Sequence, residues 1–179
     1  MKGKITVVSI LAILLAILFY EGTMVFQQKK SHANYIKPIV STHIGEPVPN
    51  IELLSPESSV NINIKKITNQ LPTVLFYFSP YCPYCQAEIE EIVKNIKHLK
   101  EIQFFLITPY SLNELKIFYT KNNLSKYKNI VAGVDYNSSF QKYFDAQIVP
   151  YLAIYKHDKL KGAFIGNMPY RQIAEETEK

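Results

Sequence analysis

At 179 residues the chain is long enough for one domain plus an appendage, and a composition that is 47% hydrophobic and 20% charged supports a core that needs no disulfide framework. Two cysteines exclude the small disulfide-rich secreted class. The formal charge of +5 comes from 20 Lys and Arg against 15 Asp and Glu, scattered along the chain without a basic run, so it reads as solvated surface and excludes a clustered nucleic-acid-binding face.

The first element is apolar. MKGKITVVSILAILLAILFYEGTMVF opens with Lys2 and Lys4 and then runs without charge from Ile5 to Tyr20. Gly22 to Phe26 extends the run past Glu21 toward the length of a membrane span, and Tyr20 suits the interface. Residues 1–26 are therefore expected to be a membrane anchor, with residues 5–26 in the bilayer. The alternative is a cleaved signal peptide, but its small-residue site at Ser31-His32-Ala33 lies well beyond the apolar run. The lysines at the start favour an N-terminus inside the cytoplasmic membrane and a domain facing the periplasm or cell exterior.

Residues 27–42 show no period and read as a tether, with a domain expected over 43–179. Pro47 and Pro49 precede a short strand, Ile51 to Leu54, and SVNINIKKI alternates like a second extended piece. TVLFYFS (73–79) is a continuous β-prone apolar run, the pattern of a strand buried on both faces. A helix is expected from Cys82 to about Leu99, because Ile89, Ile92, Val93, Ile96 and Leu99 recur at helical spacing. IQFFLIT (102–108) reads as a second buried strand. SLNELKIFYTKNN reads as a helix, with Ser111 and Glu114 in capping-box spacing. NIVAGVD is a third strand and SSFQKYF a short helix. PYLAIYKHDKLKGAFIGN gives two strands around His157-Asp158-Lys159. PYRQIAEETE closes as a helix with Pro169 near its first turn. The order implies an α/β domain, a mixed central sheet with helices on both faces.

Both cysteines lie in SPYCPYCQAE, after the central strand and on the first turn of the helix. A structural zinc site needs about four ligands. His98 stands without a second histidine at finger spacing, and His32, His43 and His157 fall in the tether, the leading edge and a hairpin turn. An inert staple between Cys82 and Cys85 would close too small a loop to contribute much. Redox exchange fits the local physics better. Pro83 takes the first helical position, where its missing N–H costs nothing. That puts the Cys82 sulfur at the N-cap, facing unpaired N–H groups and the positive end of the helix dipole, which favour the thiolate. Cys85, one turn on, points within about 20° of the centre of the apolar face. One thiol sits at the rim and one inside, as attack by Cys82 and resolution by Cys85 require. Glu88 flanks the buried face at roughly 60°, placed to take and return the Cys85 proton; the plain alternative is a surface glutamate on a polar edge.

These features resemble the thioredoxin superfamily, and more narrowly its membrane-anchored, TlpA-like redoxin branch. The residues carrying the resemblance are IGEPVPNIEL, VLFYFSPYCPYCQAE, Val149-Pro150 before the strand YLAIYKH, and Gly166 in the closing hairpin. The resemblance implies a thioredoxin-like fold over 43–179 and a cis Pro150 beside the cysteines. It implies that the backbone at Val149 pairs with a bound substrate strand and that Glu88 matches the glutamate three residues after the second cysteine. The 64 residues between Cys85 and Pro150 match the extra strand and helix of that branch. Tyr81 replaces the thioredoxin tryptophan, and the strand Val74 to Phe78 lacks the thioredoxin aspartate. Pro83-Tyr84 is the glutaredoxin pair, but KHDKLKGAFIG lacks the residues that bind glutathione there. Ser79 stands three residues before Cys82, as in peroxiredoxins, without that family's framing proline and arginine.

The resulting expectation is a membrane-tethered thiol-disulfide oxidoreductase outside the cytoplasm. Cys82, Cys85, Glu88 and Pro150 are its catalytic residues. Tyr81, Pro80 and Tyr84 form an apolar rim around Cys82, and Val149 belongs to the substrate platform. Its partners are protein thiols and disulfides and an inner-membrane electron donor or acceptor. It needs no cofactor, since the electrons reside in the cysteines. The resemblance favours a reductant of protein disulfides, for example of haem-attachment cysteines. The alternative is a non-catalytic interaction domain with a structural disulfide.

Overall fold

The computed structural model describes residues 12–24, 34–68 and 71–178. The chain divides into two units between Tyr35 and Ile36. In the first, residues 12–24 form a helix, α1, that exposes Ile13, Leu14, Leu15, Ile17, Leu18 and Phe19. Among the described residues, no helix is long and apolar enough to cross a membrane. The expected span of residues 5–26 lies partly outside them.

The second unit is built on a seven-stranded sheet of order β2-β1-β5-β4-β3-β6-β7. Its strands are β1 (Glu52–Leu54), β2 (Asn61–Asn63), β3 (Thr73–Tyr77), β4 (Gln103–Thr108), β5 (Ile130–Val134), β6 (Tyr151–Lys156) and β7 (Lys159–Ile165). The central three, β3, β4 and β5, run parallel, and β1 and β6 join them antiparallel. Every residue of β3 and β4 is buried. Alternation divides them between two cores: Val74 and Phe76 face one side, Leu75 and Tyr77 the other. The first side carries the helices α3 (Pro83–Lys94), α4 (Leu112–Lys121) and α6 (Tyr170–Glu178); the second carries α2 (Ile64–Ile67) and α5 (Ser139–Phe144). Each fully buried Leu, Ile or Phe contributes about 1.5–3 kcal/mol, so the paired apolar runs decide which strands are central.

Three local expectations change. The stretch 59–67 is not extended throughout. β2 stops at Asn63, whose side-chain oxygen accepts the Lys66 N–H at 3.3 Å and starts the one-turn α2. The helix expected to reach Leu99 ends at Lys94. Asn95 caps it, donating from its side chain to the Glu91 carbonyl at 2.9 Å, and a 3-10 turn over Ile96–His98 carries Leu99 into the same core. Part of the segment read as a tether is docked. The Ile36 N–H donates to Gln172 Oε1 at 2.9 Å, and Ile39 bridges Ala163 on β7, so residues 36–42 pack within the compact unit that runs from Ile36.

The remaining local chemistry follows the sequence. Ser111 and Glu114 form the capping box of α4. The turn expected at His157-Asp158-Lys159 is two residues, His157 and Asp158, both at positive φ as in a primed hairpin turn, and Lys159 already belongs to β7.

Candidate functional site

The chain leaves β3 at its C-terminal end, turns through Ser79-Pro80-Tyr81, and enters α3 at Pro83. The Cys82 N–H donates to the Ser79 carbonyl at 3.2 Å, which sets the turn. Cys82 is the N-cap residue: its sulfur accepts the Cys85 N–H at 3.4 Å. Local sequence explains this placement, since Pro at the first helical position fixes the backbone angle and needs no donor of its own. Both thiols are free; Cys82 is half-buried and Cys85 fully buried among Phe76, Ile89 and their neighbours. Burial pushes the Cys85 thiol well up from its ordinary range, and the nearby Cys82 and Glu88 push the same way.

Val149 and Pro150, distant in sequence, complete the edge. Their peptide bond is cis. The Val149 carbonyl lies 3.9 Å from the Cys82 sulfur and accepts its thiol proton. Pro150 is buried, and its carbonyl accepts the Gly166 N–H at 3.0 Å, which ties the loop to the end of β7.

Glu88 is not the surface glutamate of the plain alternative. Its side chain is 1% exposed. Oε2 accepts the Met168 N–H at 2.7 Å and the Asn167 side-chain amide at 3.2 Å. Oε1 is buried without a hydrogen-bond partner. Burial raises its pKa to about 7, against the opposing pull of the Met168 and Asn167 donors. A carboxyl group balanced near neutrality therefore sits one helical turn beyond Cys85, on the buried side of α3.

The expected rim is only partly a rim. Tyr81 and Tyr84 are exposed on either side of Cys82. Pro80 is buried beneath the turn, where its carbonyl accepts the Gln86 side-chain amide at 3.0 Å. The 79–82 turn folds Pro80 inward while its neighbours face out. Tyr81 is held to one side: its hydroxyl donates to Glu114 at 2.7 Å, and its ring meets Tyr110 edge-on.

Reading the sequence did not single out Asn167, Met168, Glu114 or Tyr110 for this site. Glu114 was legible as a cap but not as the anchor of Tyr81. Asn167 had one available signal: it follows Gly166, whose positive φ turns the chain back toward α3.

The same arrangement of sheet and helices occurs in known structures. A secreted Mycobacterium tuberculosis disulfide oxidoreductase, described as homologous to Escherichia coli DsbE, is similar at 17% identity with a TM-score of 0.59, over 72% of this chain and 95% of that one. StoA from Bacillus subtilis is similar at 17% identity with a TM-score of 0.58, over 73% and 98%. The peroxidoxin BcpB from Mycobacterium tuberculosis is similar at 12% identity with a TM-score of 0.62, over 76% and 96%. At these identities the likeness establishes a thioredoxin-like fold and no more. No curated protein matches the chain. The sequence model of the redoxin family matches residues 43–177, a span that holds both cysteines, Glu88 and Pro150, and the chain belongs to the redoxin family.

Proposed function

We propose that the protein is a thiol-disulfide oxidoreductase that reduces disulfides in protein substrates. The observation that carries this reading is the asymmetry of the pair. Cys82 is the N-cap with its sulfur at the edge, whereas Cys85 is sealed in the core one turn before a buried carboxyl group. Family membership and the disulfide oxidoreductases of the same fold support it.

In the forward reaction the Cys82 thiolate attacks one sulfur of the substrate disulfide, and the other sulfur leaves with the bonding electrons and takes a proton. A mixed disulfide joins Cys82 to the substrate. Glu88 then takes the Cys85 proton on its free oxygen, and the Cys85 thiolate attacks Cys82. The intramolecular disulfide forms, the mixed disulfide breaks, and the second substrate sulfur leaves as thiolate and is protonated. The substrate gains two electrons, and an external dithiol must restore them to the Cys82–Cys85 disulfide. The extended substrate segment lies along Val149 and Pro150, between Tyr81 and Tyr84. No cofactor is needed for this exchange.

The TlpA-like resemblance supports the reducing direction. Residues 1–26 are the proposed anchor: α1 exposes apolar side chains around its circumference, which calls for an apolar surrounding. With the amino-terminal lysines inside, the domain lies on the outer side of the cytoplasmic membrane, its dithiol donor in the membrane beside it.

The test is Cys85→Ser in the full chain. A catalyst then accumulates mixed disulfides through Cys82 that dithiothreitol releases. An interaction domain with a structural disulfide keeps its partners and traps nothing, and that outcome would refute the proposal. A reduction potential near about −270 mV supports the reducing direction, and one near about −120 mV reverses it.

A further inference from the structure

Glu88 and the peptide between the cysteines are held by one side chain from the far end of the chain. Asn167 Nδ2 donates to the Tyr84 carbonyl at 2.6 Å and to Glu88 Oε2 at 3.2 Å. The Met168 N–H adds a second donor to the same carboxylate oxygen at 2.7 Å. Both groups on Oε2 are N–H donors, so a proton on that oxygen would point at donors and find no acceptor. Oε1 is buried and has no partner, so it is the only one of the two oxygens at which a proton disturbs no existing hydrogen bond. We propose that Asn167 is a positioning residue for the exchange reaction: it fixes Oε2 of Glu88 and the Tyr84 carbonyl together, so that Glu88 takes and returns the Cys85 proton at Oε1.

The backbone explains how a residue so distant in sequence reaches this position. Gly166, at positive φ, ends β7 with its N–H on the Pro150 carbonyl. The next two residues then face α3, directly before α6. Asn167 thereby stands between the proline platform and the proton carrier, and it is half-buried, so its bonds are partly shielded from water. Among the described residues, the titratable neighbours of Glu88 lie on α3: Glu91, whose charge raises the Glu88 pKa, and Cys85, whose thiol Glu88 pushes up in turn. Glu91 is itself engaged by the Tyr170 N–H at the start of α6. From the segment between β7 and α6, only the uncharged donors of Asn167 and Met168 face the carboxylate.

This inference rests on the proposed proton role of Glu88, and two readouts separate the two. The first is titration of the Glu88 carboxyl carbon by NMR in labelled full-length protein, assigned with Glu88→Gln. The second is the pH profile of reduction of a synthetic peptide disulfide in single turnover. Asn167→Ala removes both donated bonds, and the near-isosteric Asn167→Asp replaces a donor with a second carboxylate, which guards against a variant that merely folds badly. The Glu88 midpoint is expected to rise by about one unit in Asn167→Ala and by more in Asn167→Asp. The rate at pH 7 then falls about fivefold in Asn167→Ala, because the ionised fraction of Glu88 drops from a half to about a tenth. Unchanged midpoints in both variants overturn the role of Asn167. If the midpoints move but the wild-type protein shows no Cys85-dependent reduction, Asn167 holds Glu88 as described and the proposed function fails.

Discussion

Glu88 shows most directly how a single residue couples the chemistry of the site to stability. Its ordinary value is 4.5 and its value in the folded protein about 7, with burial the leading cause. The folded protein therefore binds more protons than the unfolded chain between those values, and stability falls as pH rises through that window. Above about pH 7 the full penalty is present, roughly 3 kcal/mol. Glu88→Gln keeps the shape and removes the charge. Urea unfolding across a pH series should show it more stable than wild type by 2–3 kcal/mol at about pH 8 and nearly equal below about pH 4.5. A difference that does not vary with pH would mean that Glu88 is not ionised against burial at all. Its spacing from Cys85 was legible in the sequence. Its burial was not, because the donors that hold its carboxylate, Asn167 and Met168, lie about 80 positions away in the chain.

At the scale of elements, alternation and capping decide most of the fold, and close approach decides the rest. The runs 73–79 and 102–108 read as buried strands because an uninterrupted apolar run has to be covered on both faces, and the strands form over 73–77 and 103–108. Ser111 and Glu114 read correctly as a helix start because their pairing is local. The strand β5 carries a constraint of another kind. A Cβ at Gly133 would lie 2.5 Å from Leu53 Cβ and 3.4 Å from Leu53 Cα, on the neighbouring β1. Gly133→Ala is therefore expected to push β1 off the sheet and to destabilise the protein by about 1–3 kcal/mol, read as a lower urea midpoint. A midpoint unchanged from wild type would show that β1 can move freely. The early end of α3 and the turn α2 were illegible for a related reason. Asn63 and Asn95 suit extended, turn and capping conformations alike, and only their partners select one.

For the whole molecule, the boundary of the compact unit is the instructive case. Residues 36–42 lack a hydrophobic period, and composition alone assigns them to a tether. In the folded protein Ile36 shares two hydrogen bonds with the Gln172 side chain of α6, and Ile39 pairs with Ala163 on the edge strand β7. The segment thus covers an edge that would otherwise offer unpaired backbone groups. A fragment beginning at Ile36 should unfold at a higher urea concentration than one beginning at His43, by an amount corresponding to about 1–3 kcal/mol, and the shorter fragment should aggregate more readily. Equal midpoints and equal solubility would mean that the docked segment is incidental.

Local sequence was enough for the order of the seven strands, for the helices α3 to α6 and for the placement of Cys82 at a helix start. It also determined the orientation of Cys85 into the core, because each of these follows from interactions between residues within a turn or two of one another. Long-range packing selects which carbonyl faces the Cys82 sulfur, which donors hold Glu88 and what covers the β7 edge. Those contacts join residues about 70 to 140 positions apart, and no local pattern records a pairing that exists only once the sheet has closed around it.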